Sequence, residues 1–372
     1  MLWIPGPTEV RPELLEVLTR PMIGHRSQAM RDLVASVDPG LRLAFGVEDG
    51  SSSQVAVGTH SATGMMEGAL HGVGPRVLAA VNGAFSKRWS EVAGIVGKDV
   101  HVLEFEWGRA VDADLLRQTL EEHGPFDAVT VVANETSTGT RTPLAEIGQV
   151  VRAAGDTLLL TDVVSGIAGY VIEFDRHGVD FAYAGINKAL ALPPGLCVFA
   201  ASDRYLSKAR SLSRPSWYLD PVRTLDGHVA RKTPATPAVA LYRALAMQLG
   251  DIGRGLVEGG GFDSERAAWN ARFARHARLA ETTLSWAAGH GLEPFPEEKG
   301  LSPTVSCIRA GDVQVAKLIE YLAGQGHTLG GGYGKLKEST FRVGHMGDHT
   351  DANLAQLLEL VSQFVSETVG SR

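Results

Sequence analysis

Short apolar runs alternate with longer stretches of helical spacing along most of this chain. Gln54 to Val57, Val77 to Val81, the segment KDVHVLEF, Ala128 to Val132, Leu158 to Thr161 and CVFAAS each read as buried strands. Between them lie Gly64 to Leu70, the stretch opening at Phe85, DADLLRQTLEEHG and LAEIGQVVRAAG, which carry apolar positions at helical intervals. Strand alternating with helix predicts an α/β fold: a mostly parallel sheet covered by helices on both faces. In such sheets ligands collect at the carboxyl ends of the strands, so the residues just after each apolar run are the candidates for chemistry.

The N-terminus reads differently. Residues 3–8, WIPGPT, hold two prolines around Gly6 and should run extended, with a helix from Arg11 through Leu18. His25 and Arg26 then stand together before another helical pattern, where adjacent cationic donors suit an anion. From about Gly255 the pattern shifts again: GGGF, a long Ala/Arg-rich helix to Gly289, strand PTVSCIRA, helix VQVAKLIEYLAGQG, strand TFRVGHMG and a terminal helix. The expected division is therefore an N-terminal segment 1–20, a large unit 21–254 and a smaller C-terminal unit 255–372.

Composition narrows the class. The chain has 372 residues, 44% hydrophobic and 21% charged, enough for a sizeable core. Its two cysteines give neither a disulfide framework nor a thiol cluster for metal, so no metal is expected. A formal net charge of −7 gives no reason to expect nucleic acid or an anionic membrane. No apolar run is long enough to span a bilayer and MLWIPGPTEV lacks a signal-peptide pattern, so a cytoplasmic location is expected.

Candidate chemistry gathers after the strands. Gly58 to Thr63 reads as a loop delivering Ser61 and Thr63 to a helix N-terminus, where free N–H groups and hydroxyls make a phosphate cradle. Phe85, after the turn Asn82-Gly83, could lie on a flat ring. Asp162 ends its strand, and Lys188 sits in a Gly/Asn/Pro setting rather than on a charged helix face. An acid and a lysine so placed can hold two ends of one cofactor.

TSTGTRTPLAEIG, TDVVSGIAG and GVDFAYAGINKALALPPGL closely resemble the class V aminotransferases, the pyridoxal phosphate family that includes alanine–glyoxylate, serine–pyruvate and phosphoserine aminotransferases. The resemblance extends to PGPTEV, with Gly6, to NGAFSKRW and to FRVGHMGD, and covers nearly the whole chain. It implies the fold type I architecture of pyridoxal phosphate enzymes: a large domain with a mostly parallel sheet and a smaller C-terminal α+β domain. By the same resemblance, Lys188 would bind the cofactor covalently and move the substrate's proton. Asp162 would pair with the ring nitrogen, while Val164 and Phe85 would pack on the two ring faces. Thr136 would lie near the ring oxygen. Ser61, Ala62 and Thr63 would hold the phosphate, together with Asn187, which stands where relatives usually have Gln. Ala62 replaces a glycine of relatives, and a left-handed backbone there would disfavour it. Arg342 matches the arginine that binds the substrate carboxylate, for which a planar fork is suited. Thr233 matches a threonine that reaches the neighbouring subunit's phosphate, implying a homodimer with composite sites. Relatives often carry a tyrosine shortly before it; Ala230 or Arg231 here reduces that contact.

The expected reaction moves an amino group from a small amino acid, alanine or serine, to a 2-oxo acid such as glyoxylate or pyruvate, through pyridoxamine phosphate. If His25 and Arg26 clamp a phosphate, the substrates become phosphoserine and 2-oxoglutarate. A cysteine desulfurase would need a reactive thiol on a mobile loop, whereas Cys307 falls inside an apolar strand. A nicotinamide dehydrogenase would need GxGxxG after the first strand, which is missing. A non-catalytic binding protein would be expected to have lost the lysine.

Overall fold

The computed structural model describes residues 1–369. Its strands, in chain order, are β1 (Leu2–Trp3), β2 (Gln54–Gly58), β3 (Arg76–Val81), β4 (Asp99–Glu104), β5 (Ala128–Val132), β6 (Asn134–Glu135), β7 (Thr140–Arg141), β8 (Leu158–Asp162), β9 (Phe181–Gly185), β10 (Cys197–Ala201), β11 (Val305–Arg309), β12 (Thr328–Gly331) and β13 (Thr340–Gly344). Seven of them form one sheet in the order β2-β10-β9-β8-β5-β3-β4. The pairs β3/β4, β3/β5, β5/β8 and β8/β9 are parallel, and β10 runs against both its neighbours. The expected mostly parallel sheet is thus present, with one reversed strand near an edge.

The central strands β5, β8, β9 and β10 are buried at every position, as strands covered on both faces must be. β4 closes one edge and shows graded exposure. Two apolar layers flank the sheet. One holds the helix Gln28–Phe45 against Val129, Leu159 and Ala182; the other packs Trp89, Met65 and Tyr205 against Phe181 and Phe199. Gln28–Phe45 begins where the Ser27 hydroxyl accepts from Met30 N and ends at Gly46, whose φ of 65° lets the chain turn off the helix.

A second sheet, β1-β12-β13-β11, carries the C-terminal third. Its third apolar layer joins Phe341, Val343 and Leu318 to Leu354 and Val361 of the helix Asp351–Val369. The N-terminal segment is not a unit of its own: Leu2 and Trp3 pair in parallel with Thr328 and Leu329. The buried Trp3 indole stacks on His349, with centroids 4.0 Å apart, and fills that layer. This pairing joins distant stretches of sequence, so local pattern gives no sign of it. Among the described residues no helix is long and apolar enough to cross a membrane.

Behind this sheet lie three buried histidines. Burial pushes His345 down to about 3 and His349 to about 4, and holds His276 well below the usual imidazole range. All three are neutral in the fold, below the value of about 6.5 in an unfolded chain. As pH falls below that value the unfolded chain takes up protons that the fold refuses, so stability is complete above about 6.5 and lost toward 4. The expected loss at pH 5 is on the order of 2 kcal/mol for each of His345 and His349, with His276 acting in the same direction. Thermal melts between pH 7 and 5 check this, and a flat melting temperature would contradict it.

Candidate functional site

Five strands that end on one side of the large sheet, β2, β3, β5, β8 and β9, deliver polar or aromatic groups to the same cavity, of about 510 Å³. Ser61, Ala62 and Thr63 arrive after β2, Phe85 after β3, Thr136 after β5, Asp162 and Val164 from β8, and Asn187 and Lys188 after β9. Gly6 comes from the N-terminal segment and Arg342 from β13. The structure brings together these eleven of the fourteen residues singled out in the sequence.

Lys188 is the centre. Its Nζ donates to Ser165 Oγ at 2.8 Å and to Thr136 Oγ1 at 3.2 Å, and these two hydroxyls also bond each other. Burial pushes the ammonium down to about 8, aided by the positive charges of Arg342 and Arg88 and resisted by Asp162 and Glu135. The neutral amine, which attacks a carbonyl, is therefore accessible near neutral pH. The backbone is held as closely: Thr8 donates from its hydroxyl to Lys188 O and from its N–H to Asn187 O. Gly6, at φ 120°, lets the N-terminal segment lie on the lysine stem, since a Cβ there would stand 3.0 Å from Lys188 Cε.

Asp162 is fixed from two sides. Val164 N donates to Oδ1 at 2.8 Å and the Tyr183 hydroxyl to Oδ2 at 2.9 Å. Tyr183 is the register partner of Asp162 across β8/β9, so the sheet itself places the phenol beside the carboxylate. Burial pushes Asp162 up to about 6; the two hydrogen bonds and Lys188 pull it back. An anion held so deeply, with so little solvent, favours a cationic partner in the cavity.

Arg342 spends part of its fork on the protein, from Nε to Gly331 O at 2.9 Å and from Nη1 to Thr136 O at 3.1 Å. These bonds aim the guanidinium into the cavity with donor capacity to spare for a carboxylate. The helix Ala62–Leu70 starts two residues earlier than the apolar pattern suggested. Ala62 is its first residue and takes an ordinary helical backbone, so no glycine is needed there. Its N-cap, Ser61, makes no side-chain capping bond, which leaves that hydroxyl and the first N–H groups for an anion.

Several contributors were not foreseen. Ser165 lies within TDVVSGIAG but its link to Lys188 depends on the fold. Glu135, fully buried, accepts from Phe85 N, Ser86 N and Ser137 N, and so fixes the start of the helix that carries Phe85. Asn134 lines the cavity with a buried Oδ1 that has no hydrogen-bond partner among the described residues. Arg88 and Tyr333 also line it.

Two residues expected at the site, His25 and Arg26, lie elsewhere in the chain, beside Thr233, which the resemblance assigned to the neighbouring subunit's phosphate. His25, Arg26 and Thr233 line a separate cavity of about 540 Å³ with Arg31, Arg231 and Lys232. They sit on the segment before Gln28–Phe45 and on the loop after the helix Pro221–Val229, neither of which borders the Lys188 cavity. His345 is a packing residue, its Nε2 bonded to Ser306 Oγ at 2.9 Å beneath the second sheet. Cys307 is buried in β11 and its thiol is pushed up to about 11, the opposite of a reactive cysteine.

The residues present fit pyridoxal phosphate. Lys188 would hold its aldehyde carbon, Asp162 its ring nitrogen, and Ser61 with the helix N-terminus its phosphate; the orphaned Asn134 Oδ1 marks space built for a polar ligand. When bound, the cofactor supplies an electron sink for charge developing on an amino acid's α-carbon. Fold and cavity together define a fold type I pyridoxal phosphate enzyme.

Comparison with known proteins gives the family. The model described as aminotransferase class-V matches residues 55–249. An uncharacterized aminotransferase of Methanocaldococcus jannaschii is 32% identical over 354 residues, 93% of this chain and 88% of that protein. The L-aspartate–glyoxylate aminotransferase of Paracoccus denitrificans is 31% identical over 94% of this chain and 87% of its own. The crystal structure of an alanine–glyoxylate aminotransferase from Nostoc sp. superposes with a TM-score of 0.87 at 29% identity, covering 98% of this chain and 94% of that one. The chain belongs to the class V aminotransferases and is a pyridoxal phosphate-dependent enzyme.

If Lys188 is the capturing amine, uptake of pyridoxal phosphate by the apoprotein accelerates as pH rises through about 8, where the amine loses its proton. Borohydride reduction followed by peptide mass spectrometry should find the label on Lys188, and Lys188→Ala should take none. A rate that is level from pH 7 to 9, or a label elsewhere, would contradict the assignment.

Proposed function

We propose that the enzyme moves the amino group of a small amino acid, alanine or serine, to a 2-oxo acid such as glyoxylate or pyruvate. The observation that carries this reading is the partly free fork of Arg342, lining with Lys188 a cavity of about 510 Å³ of which the cofactor would take a large share. One clamp takes one carboxylate, and the amino group then falls toward the lysine. Lys188 Nζ, poised between two hydroxyls, would take the α-proton and deliver it to the cofactor's former aldehyde carbon, the shift that leaves the amino group on the cofactor. The Nostoc relative, whose name gives alanine and glyoxylate, supports the pairing.

A second reading has its own observation. Arg88 lines the same cavity with no side-chain hydrogen-bond or ion-pair partner among the described residues, its guanidinium 5.0 Å from the Phe85 ring centroid. A second cation would suit a dicarboxylic donor, and the Paracoccus relative is named for aspartate and glyoxylate. Phosphoserine would require His25 and Arg26, which border another cavity of this chain. Those residues and Thr233 would serve the partner's site in a homodimer, and the five basic side chains gathered there suit its phosphate end. Light scattering should give twice the chain mass; a monomer at assay concentration would overturn the composite-site arrangement.

Mixing holoenzyme in turn with alanine, serine, aspartate and phosphoserine, and following loss of the bound cofactor's visible band with release of the 2-oxo acid, separates the readings. Fast conversion by alanine or serine is expected. Preference for aspartate would transfer the assignment to the Arg88 reading, and Arg88→Gln should then cost that donor at least roughly tenfold in kcat/KM.

A further inference from the structure

The segment Gly330 to Leu336, GGGYGKL, carries one large aromatic side chain, Tyr333. The backbone around it is tightly folded. Gly332 N donates to Thr340 O at 2.8 Å, and Gly331 O receives Arg342 Nε. A Cβ on Gly332 would lie 2.0 Å from Leu336 O, and Gly334 takes a φ of 54°. Only glycine tolerates both positions well, and the fold they permit throws Tyr333 outward across the cavity.

There its ring meets Phe85, with centroids 5.5 Å apart and planes tilted by 41°. Arg342's guanidinium stands 5.7 Å from the Tyr333 centroid, and Lys188 Nζ stands 5.5 Å from the Phe85 centroid. These four groups enclose one volume. An amino acid with its carboxylate on Arg342 and its nitrogen directed to Lys188 must place its α-carbon there. Tyr333 remains 36% exposed, and its hydroxyl has no hydrogen bond among the described residues. The ring is held by its faces alone, with Lys335 over Trp107, at 4.6 Å, as the loop's second hold on the large-sheet side.

We propose that Tyr333 is the residue that sets the size of the substrate side chain, closing the cavity mouth over the α-substituent of an amino acid anchored by Arg342. The proposal rests on the small-donor reading above, and it adds the device that excludes larger donors. Contact with the substituent is through the ring face, so the hydroxyl is dispensable and the ring is not.

The test compares kcat/KM for leucine with that for whichever small donor the unaltered holoenzyme turns over, in Tyr333→Phe, Tyr333→Leu and Tyr333→Ala. Discrimination should survive in Tyr333→Phe. In Tyr333→Ala the ratio should shift toward leucine by roughly tenfold or more, the scale set by removing a hydrophobic wall, through a lower KM for leucine, with the bound-cofactor spectrum unchanged. Tyr333→Leu should fall between. An unchanged ratio in Tyr333→Ala and Tyr333→Leu, with spectrum and melting temperature intact, overturns the proposal. If the small donor proves to be aspartate, the small monocarboxylate reading fails by itself, while the ratio still decides the role of Tyr333.

Discussion

The site depends on one buried carboxylate remote from the chemistry. Asp348 lies between Arg11 and Arg272, at 2.7 and 2.9 Å. Burial alone would raise its pKa, but the two guanidinium groups hold it below the usual carboxylate range. Arg11 brings the N-terminal segment and continues to Asp251. Arg272, fully buried on the helix Glu265–Gly289, donates onward to Ala168 O and Ala189 O. Ala189 follows the reactive lysine directly, so a chain of charge-assisted bonds runs from three distant stretches of sequence to the backbone of Lys188. Removing Asp348 would take from Arg272 its nearest carboxylate, leaving Glu258 at 3.8 Å, and would leave Arg11 only Asp251 at 2.7 Å of its two close partners, a type of change that costs up to about 3–5 kcal/mol in other buried pairs.

That rigidity is what permits the tuning of the ionisable groups. Lys188 is pushed down to about 8 and Asp162 up to about 6, each mainly by burial. Neither shift needs a specific neighbour of like charge; both follow from a cavity with little water, which the packed carboxyl ends of five strands provide. Their mutual attraction restrains both shifts, so the lysine remains an amine of ordinary reactivity range and the acid remains able to ionise beside a cation.

What the sequence disclosed follows a physical line. Strands buried on both faces leave unbroken apolar runs, so β2, β3, β5, β8 and β10 were readable, and so was the rule that puts ligands at their carboxyl ends. Lys188, Asp162 and Arg342 lie in stretches whose local pattern is distinctive. Tyr183 was not readable as the partner of Asp162, because that contact is a register relation between strands separated by a long connection. Ser165 was in view as part of a motif, yet only the fold shows it accepting a hydrogen bond from the lysine. The N-terminal strand and its Trp3–His349 stack are invisible for the same reason: parallel pairing between the two ends of a chain has no local signal. His25 and Arg26 were placed at the site from their adjacency before a helix, and Thr233 at the neighbouring subunit's by resemblance; in the single chain all three border another cavity.

The same network limits which part of the site is free to adapt. The two sheets are tied by Arg11, Arg272 and Asp348 on one side and by Arg342 to Thr136 O on the other. Sliding one sheet past the other would break buried charged bonds on both sides. The segment Gly330 to Leu336 is bound differently: its backbone is anchored at Gly331 and Gly332, while Tyr333 and Lys335 reach the large sheet only through ring faces. Contacts of that kind are worth about 0.5–1.5 kcal/mol each and need no desolvated partner to be replaced. A substitution in the loop can therefore change the wall around the substituent without moving the lobes, so selectivity belongs to the loop while geometry for catalysis belongs to the fixed frame.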